Sequence, residues 1–167
     1  MTNSVTIYWG GIALLNIVLL EPEKPFNTGN IGRTCVLTNT RLHLIRPFNF
    51  NMDDKTLRRT GLDYWKNVDL VIYNNYDEFV EKNKDKRIFY ATTKANQTYD
   101  KIEYKDGDFF MFGKESAGIP EEILNENEKS CIRIPMIKDL DRSLNLSNSA
   151  NIILFEALRQ LNFMDLI

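Results

Sequence analysis

Leu15-Asn16-Ile17-Val18-Leu19-Leu20 is followed by Glu21-Pro22-Glu23 and then by Pro25-Phe26-Asn27-Thr28-Gly29-Asn30-Ile31-Gly32-Arg33-Thr34. The first stretch is short and almost continuously apolar, as a strand must be when both faces of a parallel sheet are covered. The second opens as a loop and leads into a helix expected over 31–38, with Asn27, Thr28 or Asn30 available to cap it. The same alternation recurs along the chain. Leu42–Ile45, Val68–Tyr73, Arg87–Thr92, Asp108–Phe112 and Ile132–Ile134 read as strands. Short helices are expected from Asp53 or Asp54 to Arg59, over Tyr76–Asn83 and over Ile119–Asn125, whereas residues 94–105 read as polar and irregular. A last helix runs from about Leu146 to Phe163, with Leu146, Ala150, Ile153, Ala157 and Leu161 on one face. Strands alternating with helices argue an α/β fold with a mostly parallel sheet flanked by helices.

The chain has 167 residues, enough for one domain, and no linker or repeat divides it. We read residues 1–13 as an N-terminal extension and 14–167 as a single domain. The net charge is −2, which excludes a wholly basic nucleic-acid coat; any nucleic acid must be met by a local patch. Two distant cysteines, Cys35 and Cys131, and a single histidine, His43, give no zinc spacing, no disulfide framework and no metal site, and suit a reducing, cytoplasmic setting. Residues 7–20 are mostly apolar, but no Lys or Arg precedes them and Glu21-Pro22-Glu23 ends them. That fits neither a signal peptide nor a membrane span, so no membrane partner is expected.

In open parallel sheets, ligands sit beyond the carboxyl ends of the strands. Three loops expected there have unusual composition. Asn27–Thr34 has glycines for close backbone approach and a helix N-terminus that favours an anion, but neither G-x-G-x-x-G nor G-K-[ST]. The same residues serve equally as a capped helix start. Phe112-Gly113-Lys114-Glu115-Ser116-Ala117-Gly118-Ile119-Pro120 places a carboxylate between two glycines after a buried strand, which suits either a ligand contact or a surface turn. Ile134-Pro135-Met136 and then Arg142-Ser143-Leu144-Asn145-Leu146-Ser147-Asn148-Ser149 concentrate Ser and Asn ahead of the last helix, where at least one must cap it.

Taken in this order, the three loops resemble the three motifs of the SPOUT superfamily of RNA methyltransferases. The resemblance extends to Leu15–Glu23, to Asp54-Lys55 with Leu57-Arg58-Arg59, to Gly61-Leu62-Asp63-Tyr64 and to Thr92-Thr93-Lys94. These are similar to the small single-domain TrmL branch, tRNA 2′-O-methyltransferases acting on the wobble nucleotide. The resemblance implies a C-terminal deep trefoil knot, S-adenosylmethionine as cofactor and a homodimer with each site near the interface. By position it implies cofactor contacts from Ala91, Gly113, Ile134, Met136, Ser143 and Leu144. It implies catalytic parts for Arg33, Asn27, Glu115, Ser143 and Asn145. Relatives of this branch often carry an apolar residue where this chain has Gly32, a change expected to loosen Arg33.

The reaction so implied moves a methyl group from a sulfonium to a ribose 2′-OH, with positioning supplying much of the acceleration. Arg33 is expected to hold a phosphate and stabilise the developing alkoxide, oriented by a bidentate pair with Glu115. Asn27 and Asn145 are expected to place the ribose. The anticodon stem-loop of tRNA is to be met by Lys55, Arg58, Arg59 and Arg142, with Arg41, Arg46, Arg133 and Lys138 as further phosphate contacts. Tyr64 is expected to stack on a base, and Trp65 and His43 to pack in the core or at an interface. The competing readings are a ribose methyltransferase for ribosomal RNA or another tRNA position, and a catalytically silent RNA-binding knot.

Overall fold

A computed structural model of the chain describes residues 15–50, 63–138 and 142–167. The proposed extension, the short helix around Asp54 and the residues Lys55, Arg58 and Arg59 lie outside them. The strands are β1 (Asn16–Leu20), β2 (Arg41–Ile45), β3 (Leu70–Tyr73), β4 (Ile88–Ala91), β5 (Gln97–Thr98), β6 (Phe109–Phe112) and β7 (Cys131–Arg133). The helices are α1 (Pro25–Leu37), α2 (Tyr76–Lys82), α3 (Glu121–Glu126) and α4 (Leu146–Gln160). The strands form one sheet in the order β3-β2-β1-β6-β4-β7-β5, and every pairing is parallel.

Alternation along each strand builds two cores, one on each face of the sheet. Leu15, Ile17, Leu19, Leu42, Leu44, Phe110, Phe112 and Ile132 face α1 and α4, which contribute Ile31, Cys35, Ala150, Ile153, Leu154, Ala157 and Leu158. Val18, Leu20, Ile45, Phe109, Met111 and Cys131 face the other way and meet Phe79 of α2 and Leu124 of α3. The buried face of α4 is therefore wider than the stripe at Ala150, Ile153 and Ala157, because Leu154 and Leu158 are buried too. Both cysteines are buried and unpaired, and desolvation pushes both thiols up, Cys35 well above the usual range.

Two expectations need correction. The first helix begins six residues earlier than the pattern suggested, so Asn27 and Thr28 are buried in its opening turns instead of lying in a loop. Pro25 at the first helical position has its φ preset and no N–H to satisfy. At the other end Asn39 takes a left-handed φ of 50°, and the Thr40 N–H returns to the Cys35 carbonyl, closing the helix by a Schellman bond. The second correction is β5. Two residues within the stretch read as irregular add an edge strand beside β7, and Gln160 of α4 ties the chain after it by accepting from the Tyr104 N–H and donating to the Ile102 carbonyl.

His43 is a core residue, on β2 between β1 and β3. Its Nδ1 is 2.9 Å from the Tyr73 hydroxyl and its Nε2 is 3.0 Å from Asn16 Oδ1. Since Oδ1 can only accept, Nε2 carries the proton and Nδ1 accepts from Tyr73. Burial, with a smaller contribution from Arg41, pulls the imidazole from 6.5 to about 3. Between these values the unfolded chain takes a proton that the folded chain refuses, so the neutral ring stabilises the fold fully above about pH 6.5 and progressively less toward pH 3. Urea unfolding at several pH values should show this as a falling midpoint on acidification. A His43→Gln variant should start lower at neutral pH but fall less steeply, by up to about 1.4 kcal/mol per pH unit. Parallel acid slopes in the two proteins would refute the assignment.

Candidate functional site

Because β1 and β6 are neighbours, the chain leaving each strand emerges beside the other. The two segments clasp each other through carboxylates. Glu115 Oε2 accepts from the Glu23 N–H at 2.8 Å, and its Oε1 accepts from the Lys24 N–H at 3.2 Å and from Asn27 Nδ2 at 2.9 Å. In return Glu23 accepts from the N–H and hydroxyl of Ser116, at 2.8 and 2.7 Å, which hold its carboxyl below the usual range. Lys114 pairs with Glu21 at 2.7 Å. The Lys24 side chain makes no cap for α1, so the Glu115 carboxylate supplies negative charge at the positive end of that helix.

The network continues to the far end of the chain. Asn27 Oδ1 accepts from Asn145 Nδ2 at 3.0 Å, and Asn145 Oδ1 caps α4 by accepting from the Ser147 N–H at 2.8 Å and its hydroxyl at 2.7 Å. Glu115, Asn27 and Asn145, one residue from each of the three loops, are thus joined by direct hydrogen bonds. Asn27 has its amide nitrogen on the carboxylate and its oxygen on Asn145, which fixes its orientation. The residues Glu21 and Glu23 were not singled out from the sequence for this role. Their signal was a Glu-x-Glu directly after a buried strand.

The loop from β6 is tightly folded. Lys114 and Gly118 bridge, with the Gly118 N–H donating to the Lys114 carbonyl at 2.8 Å. Gly118 has φ +71°, and a Cβ on Gly113 would lie 2.0–2.3 Å from the backbone of Gly118 and Ile119. Gly113 is therefore required by the loop's own backbone before any ligand is considered.

Arg33 sits elsewhere than expected. Asn27 and Arg33 are six residues apart on α1, about 9 Å along its axis and on different faces. Arg33 is exposed and its guanidinium lies 5.5 Å from the Tyr64 ring centroid; among the described residues it forms no ion pair with Glu115. The bidentate pair expected between them is replaced by the helix clasp above. Tyr64 is likewise turned onto α1. Its hydroxyl donates to the Gly29 carbonyl at 3.1 Å and Arg33 covers one ring face.

Gly32 does not loosen this arrangement. A Cβ there would come within 2.4 Å of the Trp65 ring, so the indole fills the room that the missing side chain leaves. Trp65 also packs against the core, as expected of it.

Ala91, Gly113 and Ile134 follow or end the adjacent strands β4, β6 and β7 and are half-buried. Ser143, Met136 and Leu144 are exposed, and Ile137 is 80% exposed. Of the expected phosphate contacts, Arg142, Lys138 and Arg133 are exposed at this end. Arg46 follows β2 and lies over the Phe48 ring. Arg41 opens β2 at the opposite end of the sheet and pairs with Asp69 at 2.8 Å, so it does not join the site. Among the described residues no group of three or more His, Cys, Asp and Glu side chains could hold a metal, and no helix is long and apolar enough to cross a membrane.

Three loops joined by hydrogen bonds thus converge at the carboxyl edge of an all-parallel α/β sheet. Residues 14–155 match the SpoU rRNA Methylase family. The tRNA (cytidine(34)-2′-O)-methyltransferase of Escherichia coli strain K12 is 46% identical over 151 residues, covering 90% of this chain and 96% of its own. A solved structure described as giving insights into the 2-OH methylation of C/U34 on tRNA superposes with a TM-score of 0.83 at 37% identity, covering 91% of this chain and 99% of its own. An AdoMet-bound rRNA methyltransferase from Sinorhizobium meliloti shares the fold, with a TM-score of 0.78 at 23% identity over 90% of this chain and 58% of its own. The chain belongs to the SpoU methylase family.

Glu115→Gln keeps one acceptor oxygen but turns an NH2 group toward at least one of the three donors. It should destabilise the protein by about 1–3 kcal/mol. Gly113→Ala should be worse, since backbone must move, and should lower the melting temperature more than Glu115→Gln. Thermal unfolding of the two variants beside the wild type checks the order; an undisturbed Gly113→Ala protein would contradict the close approach.

Proposed function

We propose that this protein is a cytoplasmic, S-adenosylmethionine-dependent tRNA 2′-O-methyltransferase that modifies the wobble nucleotide of the anticodon stem-loop. The observation that carries the reading is the hydrogen-bonded line from Glu115 through Asn27 to Asn145, which draws all three loops to one edge of the sheet. Membership of the family and the close relatives' activity on position 34 support the substrate. The trefoil knot is part of the same reading. It is supported by the path of the chain, which leaves β7 near one edge of the sheet and returns to set Asn145 against α1.

The cofactor would be held by the main chain of Ala91, Gly113 and Ile134, by the side chains of Met136 and Leu144, and by Ser143. Bound there, S-adenosylmethionine supplies an electrophilic methyl group for in-line transfer to a ribose oxygen. Asn145, which is exposed, would place the ribose; Asn27, expected to share that part, is buried and instead holds Asn145, and Glu115 fixes Asn27. Arg33 has only donors to offer. Its part is to hold the adjoining phosphate and stabilise charge as it develops on the 2′-oxygen. Arg142, with Lys55, Arg58 and Arg59, supplies phosphate contacts to the stem-loop.

A homodimer completes this reading. Phe26, Asn30, Arg33 and Leu37 form one exposed stripe along α1, with Phe26 61% and Leu37 69% exposed at its ends. Phe155 is exposed on α4, which packs beside α1. Large apolar side chains gathered on two neighbouring helices suit a contact with a second copy of the chain. Packing two such stripes together brings Arg33 to the interface, where it can serve the site of the partner subunit.

Methyl transfer from labelled S-adenosylmethionine to bulk bacterial tRNA, followed by nucleoside mass spectrometry, tests the function. The expected product is a 2′-O-methylated nucleoside at the wobble position. Cofactor binding without transfer to tRNA would move the substrate to ribosomal RNA, and absence of both would leave a silent RNA binder. Arg33→Lys keeps the charge but loses the planar fork, and should lower kcat on the order of tenfold or more while leaving cofactor affinity unchanged. Leu37→Glu should shift the protein toward monomer in analytical ultracentrifugation, and an unchanged sedimentation coefficient would exclude the α1 stripe as the interface.

A further inference from the structure

We propose that Trp65 is a positioning residue for Arg33, acting through Tyr64 and docking on the bare backbone of Gly32. The inference rests on the reading of Arg33 as the group that acts on the ribose. Residues Asp63–Asn67 form a single 3-10 turn that lies against α1. Three contacts define how it lies there. The Tyr64 hydroxyl reaches the Gly29 carbonyl, the Trp65 ring occupies the place of a Gly32 side chain, and the Tyr64 ring lies under the Arg33 guanidinium. Positions 29, 32 and 33 are neighbours on one side of a helix, at spacings of three and four residues.

The turn therefore grips α1 immediately beside the arginine. Trp65 is anchored in the core on its other side, together with Val68 and Leu70. The indole fixes the height of the turn above the helix, and that height fixes the ring on which Arg33 rests. A guanidinium on a long, exposed side chain has many rotamers, and stacking on a tethered aromatic ring removes most of them. A side chain at position 32 cannot coexist with the indole in this place, because its first carbon already collides with the ring. Gly32 and Trp65 thus act as one unit, and the residue pair, not either residue alone, determines where Arg33 points.

Gly32→Ala, Trp65→Leu and the double variant test this in the full-length protein, with S-adenosylmethionine and an anticodon stem-loop RNA as substrates. Two quantities are read: the ring-current shift of the Arg33 side-chain protons by NMR, and kcat separately from the KM of each substrate. Gly32→Ala should abolish the shift and lower kcat on the order of ten- to a hundredfold at unchanged cofactor KM. Trp65→Leu should likewise lose the shift and lower kcat. The double variant, in which the new methyl group has room, should recover at least half of the wild-type kcat together with the shift. Should Gly32→Ala fail to fold, Trp65→Phe and Trp65→Leu read the contact from the other side, Phe keeping the shift and Leu losing it. A shift that survives Gly32→Ala, or a kcat that survives the loss of the shift, would overturn the proposal. A wild-type protein that methylates no RNA would sink the functional reading, while the NMR shift would still decide whether Trp65 governs Arg33.

Discussion

The Glu115 carboxylate is the constraint on which the rest of the site depends. A carboxylate on a loop between two glycines is free to turn outward, and three N–H donors converging on it hold it inward instead. Two of those donors belong to the chain just ahead of α1 and the third to its first turn. Satisfying one anion thereby sets where α1 starts and which way Asn27 faces. Asn27 in turn sets Asn145, and Asn145 sets the first turn of α4. Two helices on one face of the sheet are thus indexed to a single side chain on the loop after β6.

The middle of the sheet was legible because β1 and β6 are buried on both sides and read as near-continuous apolar runs. β2, β3 and β4 also stand out by their apolar residues, β7 only as two isoleucines around an arginine, and α4 by its apolar face. What escaped notice had weak local signals. β5 is two residues long and polar, and only pairing with β7 makes it a strand. The early start of α1 escaped because its opening turn takes no cap from its own sequence; the compensating carboxylate is some ninety positions away. The same distance explains why three loops could be recognised together while their internal contacts could not. Arg33 and Glu115 are both prominent in the sequence and of opposite charge, which invites pairing. Helical geometry forbids it, because the residue that reaches Glu115 is Asn27, nearly two turns away and on another face.

Gly32 illustrates a different limit. Read along the chain it is a weak point, a residue of poor helix propensity next to the arginine of interest. Read in space it is one half of a contact whose other half, Trp65, is more than thirty positions later. Helix propensity judges a residue by its own backbone, and a gap in one element can be the seat of a side chain from another. The exposed stripe on α1 has the same character. Phe26 and Leu37 are large apolar side chains left exposed on the outer side of α1, and helix propensity says nothing of why they stand there.

The bond between Asn27 and Asn145 joins positions 118 apart in sequence. During synthesis the first motif leaves the ribosome long before the third exists, so the site is assembled only when the last fifth of the chain arrives. Contacts of such separation are entropically late, and a fold organised around them forms more slowly than one built from neighbours. The nascent chain can bury much of its sheet while still lacking its binding edge. A chain cut before Asn145 would lack the bond that ties α1 to α4, and that edge would stay unassembled.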